Sequence, residues 1–316
     1  MKTQFFILHS IAIFLHTICF IYAFSTEISY TTPVPMEISR VDYISNETNM
    51  YYQLYEVYKV NLPSVILIHG FVAFITVFFH IFVYMPSHYY YGDVIWSQSY
   101  FPLRWVEYSI TCTLMTIASS ISAGNNDLIN IFAIILFGIA LQSIGCAIEQ
   151  RKEIVHFFLF VGSLLNFGIS CSTIWYIIST PSVTSPQVIE FIAYTFYYGL
   201  FPLNCIIDAM YRKNCFIRTD WFYNVLSLSS KFALFWLQSG EVQRNVDANF
   251  WSEFQIFGLG VILPFLLLIL GIITSPTCNT SNTYDKSTTF LAKACSFRVL
   301  PIQKTIINIS KTKKFS

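Results

Sequence analysis

Apolar runs of about 20 residues recur along most of this 316-residue chain, and nearly all of them lack charge. Each matches the ~20 residues that a helix needs to cross a ~30 Å hydrocarbon core. Only 11% of the residues are charged and 55% are hydrophobic, against roughly 25% charged in a soluble domain. The pattern predicts a polytopic, all-α membrane protein lying in a lipid bilayer. The spans are expected at roughly 4–25, 63–86, 101–123, 127–148, 154–179, 187–210, 219–239 and 254–274, with ends uncertain by 2–4 residues. The first run follows Lys2 and contains "YAFS", as a signal peptide would. It is nevertheless longer than the ~7–15 residues of a signal core and carries His9 and His16, so a retained span is expected.

Orientation follows from lysine and arginine, which favour the cytoplasmic side. With the N-terminus in the cytoplasm, that side receives Lys2, Arg104, Arg151, Lys152, Arg212, Lys213 and Arg218, with a basic tail beyond. The outside receives Arg40, Lys59 and Arg244. The net charge of +1 conceals this asymmetry and gives no reason to expect nucleic acid as a partner. Segment 27–62 becomes a long outside loop with Glu27, Glu37, Asp42, Glu47 and Glu56, and with a glycosylation sequon at Asn46. Its part "MYYQLYEVYKV" is rich in Tyr and Val and partly alternating, which reads either as a strand or hairpin over the bundle mouth or as an irregular polar loop. Residues 276–316 form a basic, mobile tail, in which "FRVLPIQKTIINI" is a candidate for the membrane surface.

The eight cysteines form no CxxC pair, and none falls in the long loop, so neither a thiolate metal site nor a disulfide framework is expected there. No internal repeat, glycine-rich phosphate loop, metal triad or nucleophile elbow is present, and nothing supports a conventional enzyme.

Ionisable groups inside spans are expensive and usually functional. Here they are Lys231, Glu107, Glu190, Asp208 and the histidines. Lys231, in "VLSLSSKFALFW", is the only lysine in the body of any expected span. Mid-span, snorkelling to an interface does not account for it, which leaves a structural ion pair or a functional amine. An amine in a dry pocket becomes nucleophilic and condenses with an aldehyde; a protonated imine then needs a counter-ion. Glu107, in "PLRWVEYSITCTLM", is the candidate. It lies ~8 Å into its span and Lys231 ~18 Å into its own, and a helical side chain leans back toward its N-terminus. Ser227 and Thr111 lie one turn from these residues on the same faces. Glu190 reads either as a wetted interfacial residue or as a step toward Lys231; Asp208 reads as a helix-terminal charge or part of the same path.

"VLSLSSKFALFW" and "RWVEYSITCTLM" resemble the seventh and third helices of heliorhodopsins, and "IAIFLHT" with His16 and "FFHIF" with His80 fit that family. The resemblance spans roughly residues 4–240. It implies a seven-helix rhodopsin-like domain (1–240) with a cytoplasmic N-terminus, and all-trans retinal on Lys231 as a protonated Schiff base with Glu107 as counter-ion. It also implies a proton-accepting polar cavity with His16 and His80, joined by Tyr108, Thr111 and Ser227. Implied pocket residues are Met115, Leu141, Gly145, Tyr197, Phe201 and Trp236. A homodimer with the first outside loop over the interface is implied as well. The expected role is light sensing with an unidentified signalling partner; the rival is a light-gated or light-driven proton conductor using Glu190 and Asp208. The chain departs from the family in an eighth C-terminal span, within 241–275, and in the two acids of the sixth.

Overall fold

The computed structural model describes residues 1–30, 34–46, 49–150, 161–162, 164, 167–168, 185–246 and 248–276. They belong to the unit Met1–Cys278. The basic tail lies outside the described residues, as does most of the expected fifth span; those of its residues that are described are helical.

Among the described residues, four helices are long and apolar enough to cross a membrane, Lys2–Thr26, Val65–Gln98, Leu128–Glu149 and Phe250–Ile273. The chain order is α1 (Lys2–Tyr30), β1 (Val34–Asn46), β2 (Asn49–Leu62), α2 (Val65–Gln98), α3 (Pro102–Ser122), α4 (Leu128–Gln150), α5 (Ser185–Val246) and α6 (Phe250–Ile273). The α3 helix is less apolar because it is central: Arg104, Glu107, Thr111, Thr113, Thr116, Ser119 and Ser120 are all buried. Its polarity faces protein, where spans carry function.

Two departures from the expected spans have clear causes. First, α2 runs to Gln98, well past the expected end near 86, and stops where Ser99 takes a left-handed φ of 54°. Pro86 does not break it, because the π-helical turn His80–Tyr84 comes just before. A π-turn leaves a carbonyl free of its usual donor, and proline supplies no N–H. The same pairing recurs in α6, where the π-segment Phe254–Ile262 precedes Pro264. Second, the expected sixth and seventh spans form one helical element, α5. Asn204 Nδ2 donates to the Thr219 carbonyl at 3.1 Å. Fifteen residues of straight helix would put them ~22 Å apart, so α5 doubles back between these residues into two limbs.

The loop between α1 and α2 is a hairpin. β1 pairs antiparallel with β2 from Val34↔Leu62 to Asn46↔Asn49, with a bulge at Ile38/Ser39. Asn46 thus stands at its tip. Met36 anchors the hairpin in a buried cluster with Ile68, Ile117, Ile121, Ile131 and Ile134. The α6 helix lies antiparallel along the second limb of α5. Going down that limb, Gly240 meets Ile256, Leu237 meets Gly260 and Val225 meets Gly271. The Trp221 indole N–H donates to the Gly271 carbonyl at 2.9 Å. Small residues at such contacts let backbones approach, as membrane helices require; α1 and α2 do the same at Ala23 and Gly70.

Candidate functional site

The α3 helix and the second limb of α5 bring Glu107 and Lys231 together in the protein interior, at 0% and 3% exposure. Lys231 Nζ donates to Glu107 Oε1 in a close ion pair. Thr76 of α2 completes a triangle, its hydroxyl accepting from Nζ at 3.1 Å and donating to Oε1 at 3.3 Å. The other carboxylate oxygen, Oε2, accepts a close hydrogen bond from the Tyr84 hydroxyl. The ammonium also lies 5.5 Å from the Tyr108 ring centroid, within cation–π range. These groups pair and hydrogen-bond the buried charges, as burial requires.

The remaining expected polar residues divide. The Tyr108 hydroxyl donates to the Tyr223 carbonyl at 3.0 Å. Thr111 turns its hydroxyl to the Glu107 carbonyl of its own helix, at 3.0 Å. Ser227 is buried one turn before Lys231. His16 and His80 are both buried, and the Nε2 atom of each has no hydrogen-bond partner among the described residues. His16 Nδ1 lies 2.8 Å from the Ala12 carbonyl, so Nδ1 carries the proton and Nε2 is a bare acceptor.

Sequence reasoning did not foresee a chain of buried groups leading away from this centre. His80 Nδ1 lies 2.9 Å from His9 Nδ1, and His9 Nε2 lies 2.9 Å from His88 Nδ1. His88 Nε2 lies 2.9 Å from Asp220 Oδ2. Arg104 donates to Asp220 Oδ1 at 2.8 Å and pairs closely with Glu149. Arg104 therefore does not mark the cytoplasmic interface, as the charge count assumed; it is a buried bridge between two acids, 1% exposed. The π-turn contributes here. One extra residue in the turn keeps His80, Tyr84 and His88, spaced by four, buried together. The i, i+4, i+8 spacing was readable, but not the π-turn that makes it a single face.

On the opposite side of Lys231, Glu190 is buried and accepts from Gln238 Nε2 at 2.6 Å. The side chain of Asp208 lies outside the described residues.

An apolar cavity opens beside the ion pair, behind Tyr108 and Cys112 of α3. The expected pocket residues Leu141, Gly145 and Phe201 line it, with Trp105, Tyr198 and Tyr223. Gly145 is required there, since a Cβ would come within 2.2 Å of the Trp105 ring. Met115 packs instead with Val72, Tyr194 and Leu234, and Trp236 with Tyr22 of α1; Tyr197 is buried elsewhere on α5. Tyr194 and Tyr198, unforeseen, stack at 4.2 Å over α3 and share the Thr116 hydroxyl. A buried amine with one carboxylate, next to an aromatic cavity, fits an elongated apolar aldehyde.

A family model described as heliorhodopsin matches residues 5–242. No curated protein matches the chain. The match ends before α6, which is an addition to the matched region.

Proposed function

The chain belongs to the heliorhodopsin family, light-sensing retinal proteins of the membrane, and from that premise we propose how its own residues serve light sensing. Lys231 Nζ would hold retinal as a protonated Schiff base, and the bound group would supply the light-driven isomerisation. Glu107 holds the proton on Nζ in the dark, and Thr76 and Tyr84 fix the carboxylate. Leu141, Gly145 and Phe201, with Trp105 and Tyr198, wall the apolar chain and exclude water. After illumination the proton passes into the polar region of His16 and His80, and the output is a signalling conformational change. One observation carries this reading: the only lysine described in the protein interior is paired with a buried glutamate. The test is the visible spectrum of the protein expressed with all-trans retinal. A band that survives Lys231→Ala, or no band at all, would overturn it.

The same reading gives a cytoplasmic N-terminus, a homodimer with the hairpin over its interface, and glycosylation of Asn46 outside. The α6 helix is an eighth span, supported by its antiparallel course along α5 and its apolar length; it returns the tail to the cytoplasm.

A second reading is favoured by Glu190, whose burial against Gln238 gives a proton a site on the far side of Lys231. In that reading the protein conducts protons under light. Voltage-clamp recording decides: a photocurrent abolished by Glu190→Gln, with colour retained, establishes conduction, and no photocurrent under any pH gradient excludes it.

A further inference from the structure

The histidine chain has a direction, and Asp220 sets it. Asp220 is fully buried and accepts from Arg104 at 2.8 Å and from the Trp96 indole at 3.1 Å. Paired with a guanidinium, it is a carboxylate and accepts only. A neutral His88 then presents N–H at Nε2 and leaves its Nδ1 as an acceptor. His9 must donate from Nε2 to His88 and accept at Nδ1. His80 must donate from Nδ1 to His9, so His80 Nε2 is bare. That atom is buried and has no hydrogen-bond partner among the described residues, as is also true of His16 Nε2 and His69 Nε2. Tyr84, the hydroxyl partner of Glu107, lies beside it, with ring centroids 5.0 Å apart. The tautomers dictated at one end thus place an empty acceptor at the other, next to the Lys231–Glu107 centre.

We propose that His80, His9 and His88 form a proton wire that draws the proton released at Lys231 Nζ to the His88–Asp220 pair. This rests on the reading of Lys231 given above. A proton arrives on His80 Nε2. The His80 Nδ1 proton passes to His9 Nδ1, and the His9 Nε2 proton passes to His88 Nδ1. One proton has entered and none has left. His88 is now an imidazolium facing the Asp220 carboxylate, and His80 and His9 have exchanged tautomers. Return along the same path restores every tautomer, whereas onward loss to solvent does not.

The wire ends under a lid. Phe5 stacks on His88 at 4.6 Å and touches Trp96 and Trp221, each at 5.2 Å. All three rings are buried. The Lys2–Asp93 pair, at 2.8 Å and 38% and 58% exposed, lies beyond it, one turn before Phe5 along α1. The charged and titratable groups around the wire are Lys231, Glu107, Tyr84, His16, Arg104, Glu149 and Asp220, and the far end is shut.

The experiment is nitrogen NMR of the full chain in lipid, labelled with ¹⁵N-histidine and assigned by loss of signals in His88→Asn, His9→Gln and His80→Gln. In the dark, with or without added retinal, His88 and His9 should be protonated at Nε2 and His80 at Nδ1. A proton on His80 Nε2 in the dark would overturn the wire. Under illumination with retinal, an imidazolium signal should appear at His88, and it should be lost in both His9→Phe and His9→Gln while the dark absorption band remains. The glutamine variant keeps the volume and polarity but cannot relay. An imidazolium that persists at His88 in these variants, or that stops on His80 or His16, refutes the proposal. Absence of any retinal band instead refutes the reading of Lys231, and the dark tautomers still decide on the wire.

Discussion

Replacing Arg104 with methionine isolates the largest buried electrostatic commitment in the protein. The guanidinium bridges Asp220 and Glu149, and its carbon lies 4.2 Å from the Tyr223 ring centroid. Methionine keeps the apolar stem against that ring. It leaves two carboxylates, 0% and 1% exposed, without their cation. Removing one partner of a buried ion pair costs about 3–5 kcal/mol. His88 still serves Asp220, and the Phe101 N–H still serves Glu149 at 3.3 Å, so the loss is expected inside that range although two acids are involved. It corresponds to roughly two to three and a half orders of magnitude in the folded-to-unfolded ratio. The triple variant Arg104→Met, Glu149→Gln, Asp220→Asn removes all three charges and should recover most of the loss, since no uncompensated charge stays buried. The assay is unfolding in mixed micelles titrated with a denaturing detergent, followed by tryptophan fluorescence; Trp96 and Trp105 lie beside the triad. A single variant within about 1 kcal/mol of the parent would refute the reasoning, as would a triple variant no more stable than the single.

Glu107→Gln should move the retinal band to longer wavelength, because it removes the negative charge that stabilises positive charge at Nζ in the dark state; an unchanged maximum would deny Glu107 its role. Gly271→Val should cost about 1–3 kcal/mol in the same detergent titration, since even a Cβ meets Val225 Cγ1 at 2.4 Å; no loss would mean that α6 does not dock on α5 as described. Phe5→Ala should open the lid over His88 and give a light-induced pH change outside reconstituted vesicles; a running photocycle with no pH change would show that the lid is not the barrier.

Much of the site was legible because membrane burial makes charge conspicuous. Lys231 and Glu107 stand out in apolar runs, and their depths matched once the backward lean of helical side chains was included. The hairpin was only half legible: its Tyr and Val alternation suggested strands, but an irregular polar loop fitted the same residues, and the pairing of β1 with β2 decides between them. Arg104 was misread because charge counting assigns every terminal arginine to an interface, whereas burial depends on partners from other helices. Those partners, Asp220 and Glu149, come from α5 and α4, and no local pattern links three helices. His88 lay hidden in a stretch expected to be loop, because the π-turn that carries α2 past Pro86 has no short sequence signature. The reversal within α5 was expected as a break between two spans, and only the Asn204–Thr219 hydrogen bond locates it.

The polar groups on the two sides of Lys231 are unequal, and this bears on sensing against transport. Toward Asp220, eleven residues back along α5 or ~16 Å, hydrogen-bonded imidazoles lead from His80 onward and end under Phe5, Trp96 and Trp221. Toward Gln238, seven residues on or ~10 Å, Val72, Met115, Tyr194 and Leu234 form a buried cluster, with His69 buried beside Gln238. Once on His80, a proton crosses the first side by exchanging hydrogen bonds already in place; on the second it meets the apolar side chains of the Met115 cluster. Light-driven release therefore favours the histidine side, and the lid favours return by the same route. Net transport requires both barriers to open in one cycle, Phe5 on one side and the Met115 cluster on the other. Phe5→Ala removes only the first. It should give a transient proton signal that reverses as the photocycle closes, and a steady photocurrent from that single change would mean that Glu190 is already connected to Lys231.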